Sequence, residues 1–575
     1  MTKKYLFPSL CLFLLCACSG RQIRMATLDP QFSKEKKQAF STKYMIATQG
    51  DYASKAAKKM FELGGNAIDA AVAASYVISV ERQQSTGLGG GGFMLIHFAK
   101  TKQTVAVDFR EVAPLAAYEK MFQDQSGNVI QDKSRQTIYA VGVPGLVAGL
   151  IEVHEKYGKL KRSQVMAPAI ELADHGFELY GHFAQAIEEK KDILGKSPYA
   201  KSIFFREDGT PKKVGDQLIQ KDLAKVLREI EKKGKDGFYQ GWVAQKIVDE
   251  SKRQRGMLSL KDFSSYNIKY RSPVVGQYKG YEIFSMPPPS SGGIHVIEIM
   301  QTLENFPLKE HGPYSPYSIH HTAAAMQQAF ADRATFLGDE DFVHVPTQML
   351  VSKAYATKVA KSISEEQARA SQTDDGGKLT EGSNETTHFS IMDIEGNVVA
   401  STQTINFGLG SGIVVPGTGI VLNNEMDDFT AKPGEPNGFG AIGGVPNSIQ
   451  PKKRPLSSMT PTIVMKNDIP VLALGSPNGT RIISCVALTM LNYLEYGMDL
   501  YSSVSALRYH HQWYPDEIRV EDPGFSKKQT GQLEQMNYNV HHSDYDCRVQ
   551  AVGREGDTLI GVSDPRGTGI ALGDQ

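Results

Sequence analysis

The feature that most constrains this chain is a pair of adjacent threonines, Thr386 and Thr387, at the head of a two-part alternating segment. Apolar and polar residues alternate over residues 389–393, a Glu-Gly-Asn turn follows at residues 395–397, and a second such segment covers residues 398–405. Period-two alternation on both sides of a short glycine turn predicts a β-hairpin that begins at the threonines. Taken alone, this is the pattern of an ordinary hairpin, so the residues in front of it decide its significance.

The segment before the threonines has the character of a linker. Residues 364–385 are polar and charged, with Asp-Asp-Gly-Gly at residues 374–377 and Glu-Gly-Ser at residues 381–383. Loops of small and polar residues are preferred sites of chain cleavage. A cut between Glu385 and Thr386 would make Thr386 the first residue of a new chain.

Such a cut would change the chemistry of Thr386. A threonine hydroxyl is a poor nucleophile near neutral pH and needs a base within hydrogen-bond reach. An N-terminal α-amine, with a reference pKa of about 7.7–8.0, is partly unprotonated near neutrality, so base and nucleophile would belong to the same residue. The chain has no Gly-x-Ser-x-Gly, kinase or dinucleotide motif to compete with this hypothesis.

Three other features have simple interpretations when taken alone. The Ser-Pro-Asn-Gly turn at residues 476–479 precedes a predicted helix and could offer two backbone N–H groups to an oxyanion, but a plain strand-to-helix connection explains it equally well. Arg110 follows a predicted strand over residues 104–109 and could hold a carboxylate, but a structural ion pair is the simpler interpretation. The glycines at residues 87–92 precede a strand, which argues against a phosphate-binding loop and indicates a close approach of backbones.

The beginning of the chain is typical of an exported protein. Two lysines precede an apolar run that is too short to span a bilayer, so residues 1–17 are predicted to be a signal peptide. Leu-Cys-Ala-Cys-Ser-Gly at residues 15–20 resembles a bacterial lipobox, which would make Cys18 the lipidated first residue; ordinary cleavage to a free soluble protein is the alternative. Residues 18–43 are polar and predicted to form a tether. The expected location is the periplasm or cell envelope of a bacterium.

Composition and cysteine spacing narrow the remaining classes. Lys+Arg 63 against Asp+Glu 63, without a basic stripe, gives no reason to expect nucleic-acid binding. No C-x-x-C or H-E-x-x-H occurs, so neither a metal nor a cofactor is expected. Beyond Cys18 only Cys485 and Cys547 remain; they could pair, but the apolar run around Cys485 favours a buried thiol.

The order of predicted elements indicates an α+β fold. Residues 51–80 read as two helices broken at residues 64–66, and strands are predicted at residues 93–98, 462–465 and 471–474, with a helix from Arg481. His320 and His321 are expected to be capping or surface residues at the start of a helix. Helices on both sides of two packed antiparallel sheets would satisfy this mixture.

Residues 383–390, SNETTHFS, resemble the processing site of the gamma-glutamyltransferases, also called glutathione hydrolases, of the N-terminal-nucleophile hydrolase superfamily. The resemblance continues in order through separated motifs: GGNA at 64–67, GGGGF at 89–93, DFR at 108–110, LNNEMDDF at 422–429, KRPLSSM at 453–459, GSP at 475–477, YHHQW at 509–513 and SDPR at 563–566. It covers about residue 44 to the C-terminus. The resemblance implies a four-layer αββα sandwich.

The resemblance also implies the activity. The precursor would cut itself into a large chain, residues 44–385 behind the tether, and a small chain, residues 386–575, which form one intertwined fold as a heterodimer. Thr386 would then attack the γ-carbonyl of glutathione or a related compound, and water or the amine of an amino acid or dipeptide would accept the γ-glutamyl group. Thr404 would hydrogen-bond the nucleophile, and Asn406 would line the pocket.

The family's pocket residues carry over to this chain as a set suited to a zwitterion. Arg110 would bind the α-carboxylate with the hydroxyls of Ser457 and Ser458. Glu425 and Asp428 would accept hydrogen bonds from the α-ammonium. One cation, neutral donors and two anions match both charges of a glutamyl head group.

Two positions depart from the family's pattern. The oxyanion hole would be the backbone N–H groups of Asn478 and Gly479, but many members have a second glycine where this chain has Asn478, and asparagine tolerates unusual dihedral angles less freely. Phe439, in the loop of residues 432–447, stands where some bacterial members have a lid tyrosine bonded to the residue that matches Asn406. Since phenylalanine cannot make that bond, we predict a looser lid.

Two alternatives remain open. Another N-terminal-nucleophile acylase, acting on glutaryl groups or poly-γ-glutamate, would share the fold, although glutaryl groups lack the ammonium that Glu425 and Asp428 would bind. A non-catalytic surface lipoprotein could keep the fold as a binding module, although an intact Thr386 argues against that.

Overall fold

The computed structural model describes residues 37–371, 385–543 and 547–574 of the uncut chain. The predicted signal peptide, the lipidation site Cys18 and residues 372–384 of the predicted linker lie outside these ranges. Within them, no helix has the length and apolar character needed to cross a membrane.

Two seven-stranded antiparallel sheets form the centre of the molecule. The first contains, in spatial order, β1 (Gln38–Ser41), β18 (Thr558–Ser563), β17 (Gln550–Glu555), β13 (Ile469–Gly475), β12 (Thr462–Lys466), β9 (Tyr281–Ser285) and β8 (Val274–Tyr278). The second contains β19 (Ile570–Leu572), β2 (Tyr44–Thr48), β10 (Thr387–Asp393), β11 (Val398–Thr404), β3 (Gly91–Phe98), β4 (Gln103–Asp108) and β7 (Lys269–Arg271). Two small sheets lie outside this pair: β14 (Tyr509–His510) with β15 (Ile518–Val520) and β16 (Val540–His542), and β5 (Phe177–Glu178) with β6 (Gln217–Leu218).

Helices cover the outer face of each large sheet. The helices on the side of the second sheet share one hydrophobic core with it. They are α1 (Asp51–Glu62), α2 (Ala67–Glu81), α4 (Leu146–Tyr157), α5 (Arg162–His175), α6 (Gly181–Glu189), α7 (Lys191–Leu194), α8 (Pro198–Phe204), α9 (Lys221–Lys233), α10 (Asp236–Tyr239), α11 (Gly241–Arg253) and α12 (Leu260–Ser264). The helices on the side of the first sheet share a second core. They are α13 (Gly292–Leu303), α14 (Leu308–His311), α15 (Pro316–Phe336), α16 (Thr347–Leu350), α17 (Lys353–Ser362), α18 (Arg481–Met490), α19 (Leu500–Ser505) and α20 (Lys527–Gln535). The short α3 (Gln131–Arg135) lies beside the 3-10 helix Glu425–Asp428.

Strand alternation explains the layering. In β10, Phe389 and Ile391 pack with the helices of the first group, whereas Met392 belongs to the core between the sheets. In β11, Val399 packs on the same side as Phe389 and Ile391, and Val398 and Ala400 pack on the same side as Met392. Because successive side chains point to opposite faces, one hairpin contributes to two cores. The predicted four-layer αββα sandwich is confirmed.

The two helices predicted from residues 51–80 form α1 and α2. Helix α2 is buried along its whole length, which its small residues permit, and Asn66 caps it by accepting hydrogen bonds from the backbone of Ile68 and Asp69. The loop between the two helices therefore contains the glycines at residues 64–65 and ends at the N-cap residue Asn66.

The glycine run before β3 brings backbones together, as its sequence indicated. A Cβ atom on Gly90 would lie 2.1 Å from the carbonyl oxygen of Thr404, and one on Gly92 would lie 2.5 Å from that of Thr402. Since real Cβ contacts are never so short, these positions accept only glycine. The run therefore lets β3 pair closely with β11, the second strand of the threonine hairpin.

Three expectations were wrong. The predicted tether ends earlier than residue 43, because Gln38–Ser41 forms β1 and pairs with β18. Cys485 is not a free thiol but forms a disulfide with Cys547; β17, which begins three residues after Cys547, pairs with β13 and so brings Cys547 to α18. His320 and His321 are buried rather than at the surface, since α15 begins at Pro316 and places both against other rings.

Candidate active site

Thr386 lies one residue before β10, directly opposite the end of β11. The hairpin register pairs Thr387 with Gln403, which brings the Thr404 hydroxyl to 3.1 Å from the Thr386 hydroxyl. The Thr386 hydroxyl donates to the carbonyl oxygen of Glu385 at 2.8 Å, and the Thr404 hydroxyl reaches the same oxygen at 3.2 Å. The backbone N–H of Asn406 donates to the Thr404 hydroxyl at 2.8 Å, which orients it.

A cavity opens beside Thr386. Of the residues predicted for the site, the structure brings together the following in its wall: Arg110, Thr386, Thr404, Asn406, Glu425, Asp428, Phe439, Ser457, Ser458 and Gly479. Asn478 is buried next to Gly479 and does not line the cavity. The wall draws on the loop after β4, the 3-10 helix Glu425–Asp428, the segment before β12 and the turn before α18.

The cavity is strongly polar at the Arg110 end. The fully buried guanidinium of Arg110 bonds the carboxylates of Glu425 and Asp428, the latter at 2.5 Å. Glu111, also fully buried, lies 3.8 Å from it. Arg110 is therefore already in a structural ion pair, as the simpler interpretation held, and it lines the cavity as well.

Burial dominates the protonation of these acids. It raises the pKa of Glu425 to about 8, against the opposing effect of Arg110, and it raises the pKa of Asp428 and, further, that of Glu111. Arg110 lies against three carboxyl groups, those of Glu425, Asp428 and Glu111, which is more than one guanidinium can neutralise in ionised form. A ligand with a positive group of its own would complete the balance.

Sequence reasoning missed a second cation, Arg333. It lies in the last turn of α15, whereas Arg110 lies in the loop after β4, and it lines both this cavity and a neighbouring one. Its Nε donates to the Ser291 hydroxyl at 3.2 Å, and burial lowers its pKa to about 10. The helical pattern of residues 316–336 contains no local signal that would distinguish this arginine from a surface one.

The turn before α18 has an unusual backbone. Asn478 has a φ of 105° and Gly479 a φ of 51°, both in the left-handed region. Carbonyl groups of both residues accept hydrogen bonds from the first turn of the helix, from Arg481 at 3.0 Å and Ile482 at 3.2 Å. The turn therefore leads into the N-terminus of α18, where backbone N–H groups favour negative charge.

Phe439 covers the cavity by stacking. Its ring lies 4.6 Å from that of Phe407, with an interplanar angle of 9°. A Cβ atom on Gly479 would lie 2.4 Å from the Phe439 ring, so the ring rests directly on the turn before α18. The Asn406 side chain donates to the carbonyl of Asn424 at 3.1 Å. The looser lid stays a prediction, and the Phe407 stack is the contact that would oppose it.

A four-layer αββα sandwich with a threonine at the head of a central strand, beside a polar cavity, defines an N-terminal-nucleophile hydrolase. The family model of gamma-glutamyltranspeptidase matches residues 53–574, and the chain belongs to this family. It is 44% identical over 526 residues to the glutathione hydrolase proenzyme of Escherichia coli, covering 91% of this chain and 90% of that protein.

Two solved structures have a similar fold. Gamma-glutamyltranspeptidase of Helicobacter pylori is 44% identical and superposes with a TM-score of 0.55 over 58% of this chain and 96% of that one. A cephalosporin acylase of Bacillus halodurans, 24% identical, superposes with a TM-score of 0.83 over 96% of this chain and 100% of that one, which shows the fold alone.

Proposed function

We propose that this protein is a glutathione hydrolase and gamma-glutamyltransferase that activates itself by cutting between Glu385 and Thr386. The observation that carries the proposal is the position of Thr386. Its hydroxyl contacts the carbonyl of the preceding residue on one side, and on the other side it lines a cavity whose wall holds two arginines and two acids.

In the self-cleavage step, the Thr386 hydroxyl oxygen attacks the carbonyl carbon of Glu385. The hydroxyl proton passes to the amide nitrogen, the C–N bond breaks, and an ester links Glu385 to the Thr386 side chain. Water then hydrolyses the ester, which restores the hydroxyl, leaves a carboxylate on Glu385 and frees the α-amine of Thr386. The hydroxyl of Thr404 supports the step, because it lies within reach of both the attacking oxygen and the carbonyl oxygen.

In turnover, the freed amine takes the proton of the Thr386 hydroxyl as that oxygen attacks the γ-carbonyl of the substrate. The backbone N–H groups of Asn478 and Gly479 would stabilise the oxyanion. The leaving amine takes the proton, and the γ-glutamyl group stays on Thr386 as an ester. Water releases it as glutamate, or the amine of an amino acid or dipeptide accepts it.

The cavity wall supports γ-glutamyl specificity. Arg110, Ser457 and Ser458 would bind the α-carboxylate, while Glu425 and Asp428 would accept hydrogen bonds from the α-ammonium. Binding would replace part of the present pairing between Arg110 and the two acids with pairing to the ligand. A glutaryl group, which lacks the ammonium, would leave buried acids without a positive partner, so it should be a poor substrate.

The test compares the wild type with Thr386→Ala and the matched control Thr387→Ala. Thr387 is also buried, and its hydroxyl has no hydrogen-bond partner among the described residues. Wild type and control should give two chains on a denaturing gel and release the cysteinylglycine leaving group from glutathione, faster with an acceptor dipeptide. Thr386→Ala should give one chain and no release. A wild type that stays uncut and inactive would favour a binding module, and a cut protein that prefers glutaryl substrates would favour another acylase.

Export to the cell envelope with a lipid anchor at Cys18 is also part of the proposal. The signal-like residues 1–17 support it, and so does the disulfide between Cys485 and Cys547, since disulfides persist in oxidising compartments. Cys18→Ala should move the protein from the membrane fraction to the soluble fraction without loss of activity. Equal fractionation of the two proteins would argue against the anchor.

A further inference from the structure

We propose that Ser85 and Arg82 hold the side chain of Glu385 so that its carbonyl group is positioned for self-cleavage. The proposal rests on the self-cleavage proposed above and deepens it. It assigns a role to the side chain in front of the scissile bond and to a loop 300 residues away in sequence.

The Glu385 side chain is buried and specifically bound. The Ser85 hydroxyl donates to its carboxylate at 2.7 Å, and the Arg82 guanidinium lies 3.8 Å from the same oxygen. Arg82 also donates to the Ser85 hydroxyl at 3.2 Å, so the three groups form a closed triangle. Arg82 is 1% exposed and Glu385 is 8% exposed. A buried carboxylate needs such partners, because burying an unpaired charge is costly.

Arg82 is itself fixed to the body of the protein. Its second amino group donates to the Gln49 carbonyl at 3.4 Å and to the Thr568 hydroxyl at 3.3 Å, and its guanidinium lies 5.5 Å from the centre of the Tyr180 ring. Arg82 would keep these contacts if Glu385 were replaced. Ser85 and Arg82, called the anchor below, are therefore held in place by the fold rather than by Glu385.

The anchor is also joined to the threonine hairpin. The backbone N–H of Ile405 donates to the Ser85 carbonyl at 3.2 Å, one residue after Thr404. The Gln49 side chain accepts a hydrogen bond from the backbone N–H of His388 at 3.0 Å, two residues after Thr386. The anchor, the attacking residue and the assisting hydroxyl thus belong to one connected frame.

Glu385 is consequently held at two points. Its carbonyl oxygen is contacted by the hydroxyls of Thr386 and Thr404, and its carboxylate is bound by Ser85 and Arg82. Fixing both ends of one residue restricts rotation of the scissile peptide and holds its carbonyl carbon next to the attacking oxygen. Among the described residues, no hydrogen bond joins Ser85 or Arg82 to Thr386, so both are positioning residues.

The experiment follows the rate of self-cleavage of the full chain on denaturing gels. Glu385→Ala should be cut about ten- to a hundred-fold more slowly, as expected for loss of a charge-assisted hydrogen bond from the reacting geometry. Glu385→Gln, whose amide oxygen can still accept from Ser85, should recover part of the rate. Ser85→Ala should slow the cut about tenfold, and adding it to Glu385→Ala should cause no further loss.

The matched control is Ser79→Ala. Ser79 lies on α2, is fully buried, and donates to the Ser75 carbonyl at 2.9 Å rather than to Glu385. This variant should be cut at the wild-type rate. Once cut, every variant should hydrolyse glutathione with the wild-type kcat/KM per cleaved molecule, because Glu385 does not line the cavity.

The outcomes separate this proposal from the proposed function. Uncut wild type would contradict self-cleavage itself. A wild type that is cut together with a Glu385→Ala variant that is cut equally fast would contradict only the anchor. The pH profile of the cleavage rate should keep its shape in Glu385→Gln; a shifted profile would mean that Glu385 moves a proton, which would also overturn a positioning role.

Discussion

Replacing Thr404 with valine removes one hydroxyl and keeps the shape of the side chain. That hydroxyl lies 3.1 Å from the Thr386 hydroxyl and 3.2 Å from the Glu385 carbonyl oxygen, and it accepts from the Asn406 N–H at 2.8 Å. Two of these contacts involve reacting atoms, and the third does not. The substitution should therefore change both the rate of self-cleavage and the stability.

The two effects can be estimated separately. The Thr404 hydroxyl has one proton to offer to the two reacting atoms, so the substitution removes one neutral hydrogen bond there. That bond contributes about 0.5–1.5 kcal/mol, which corresponds to a roughly 2- to 13-fold slower cut. Asn406 is buried, and leaving its N–H without an acceptor should lower the free energy of unfolding by about 1–3 kcal/mol.

Thr402→Val is the matched control on the same strand. The Thr402 hydroxyl bonds Nδ1 of the buried His388 at 2.8 Å and makes no contact with the reacting atoms in the described structure. It should lose a similar amount of stability in chemical denaturation but keep the wild-type rate of cleavage. Thr404→Ser should restore the rate.

Gel time courses and denaturation curves for the three variants decide the matter. Wild-type cleavage in Thr404→Val would show that the hydroxyl takes no part in the step. An equal slowing in Thr402→Val would show that the rate follows stability instead of the local contact.

Three further predictions concern the cavity and its supports. Gly479→Ala should lower kcat/KM for glutathione at least tenfold, because the new Cβ atom would lie 2.4 Å from the Phe439 ring. Adding Phe439→Ala should recover part of the loss. No recovery would mean that a clash with this ring is not the cause. Arg333→Met should raise KM about tenfold while self-cleavage keeps its rate, if the second cation binds the substrate carboxylate; an unchanged KM would exclude that contact. Burial lowers the pKa of His388 to about 3 in the folded protein, whereas the unfolded value is about 6.5. The fold holds the neutral imidazole, so the stability is fully present above pH 6.5 and is lost as the pH falls from 6.5 towards 3. His388→Gln should therefore flatten the decrease in unfolding free energy between pH 6 and 4, by about 2–3 kcal/mol, and an unchanged slope would contradict the shift.

Local patterns in the sequence predicted the elements near the nucleophile well. The hairpin, the two small-residue helices and the glycine run depend on residues close to one another in the chain, where periodicity and the special backbone freedom of glycine act directly. The resemblance to the family then predicted ten residues that the structure brings together in one cavity wall.

Contacts between distant segments were harder to predict. Ser85 and Glu385 are 300 residues apart, and nothing in either neighbourhood indicates the other. The apolar run around Cys485 favoured a buried thiol, but the disulfide depends on where β17 brings Cys547, which no local pattern indicates. Arg333 follows the helical pattern of α15 and reaches the cavity only because that helix packs against α13.

The order of strands in the second sheet has a consequence for the cut protein. Strands β10 and β11, which follow the proposed cut, lie between β2 and β3, which precede it. The two pieces would therefore be held by full ladders of hydrogen bonds on both sides. Neither could leave without opening the sheet.

For the cut protein, unfolding and dissociation would become the same event. The uncut chain melts to one molecule, so its midpoint should be independent of protein concentration. The processed form would melt to two, and its midpoint should rise with concentration. Refolding would also require two separate polypeptides to meet before β10 could insert between its neighbours. The sheet is thus assembled while the chain is continuous, and cutting the chain would make the same assembly difficult to repeat.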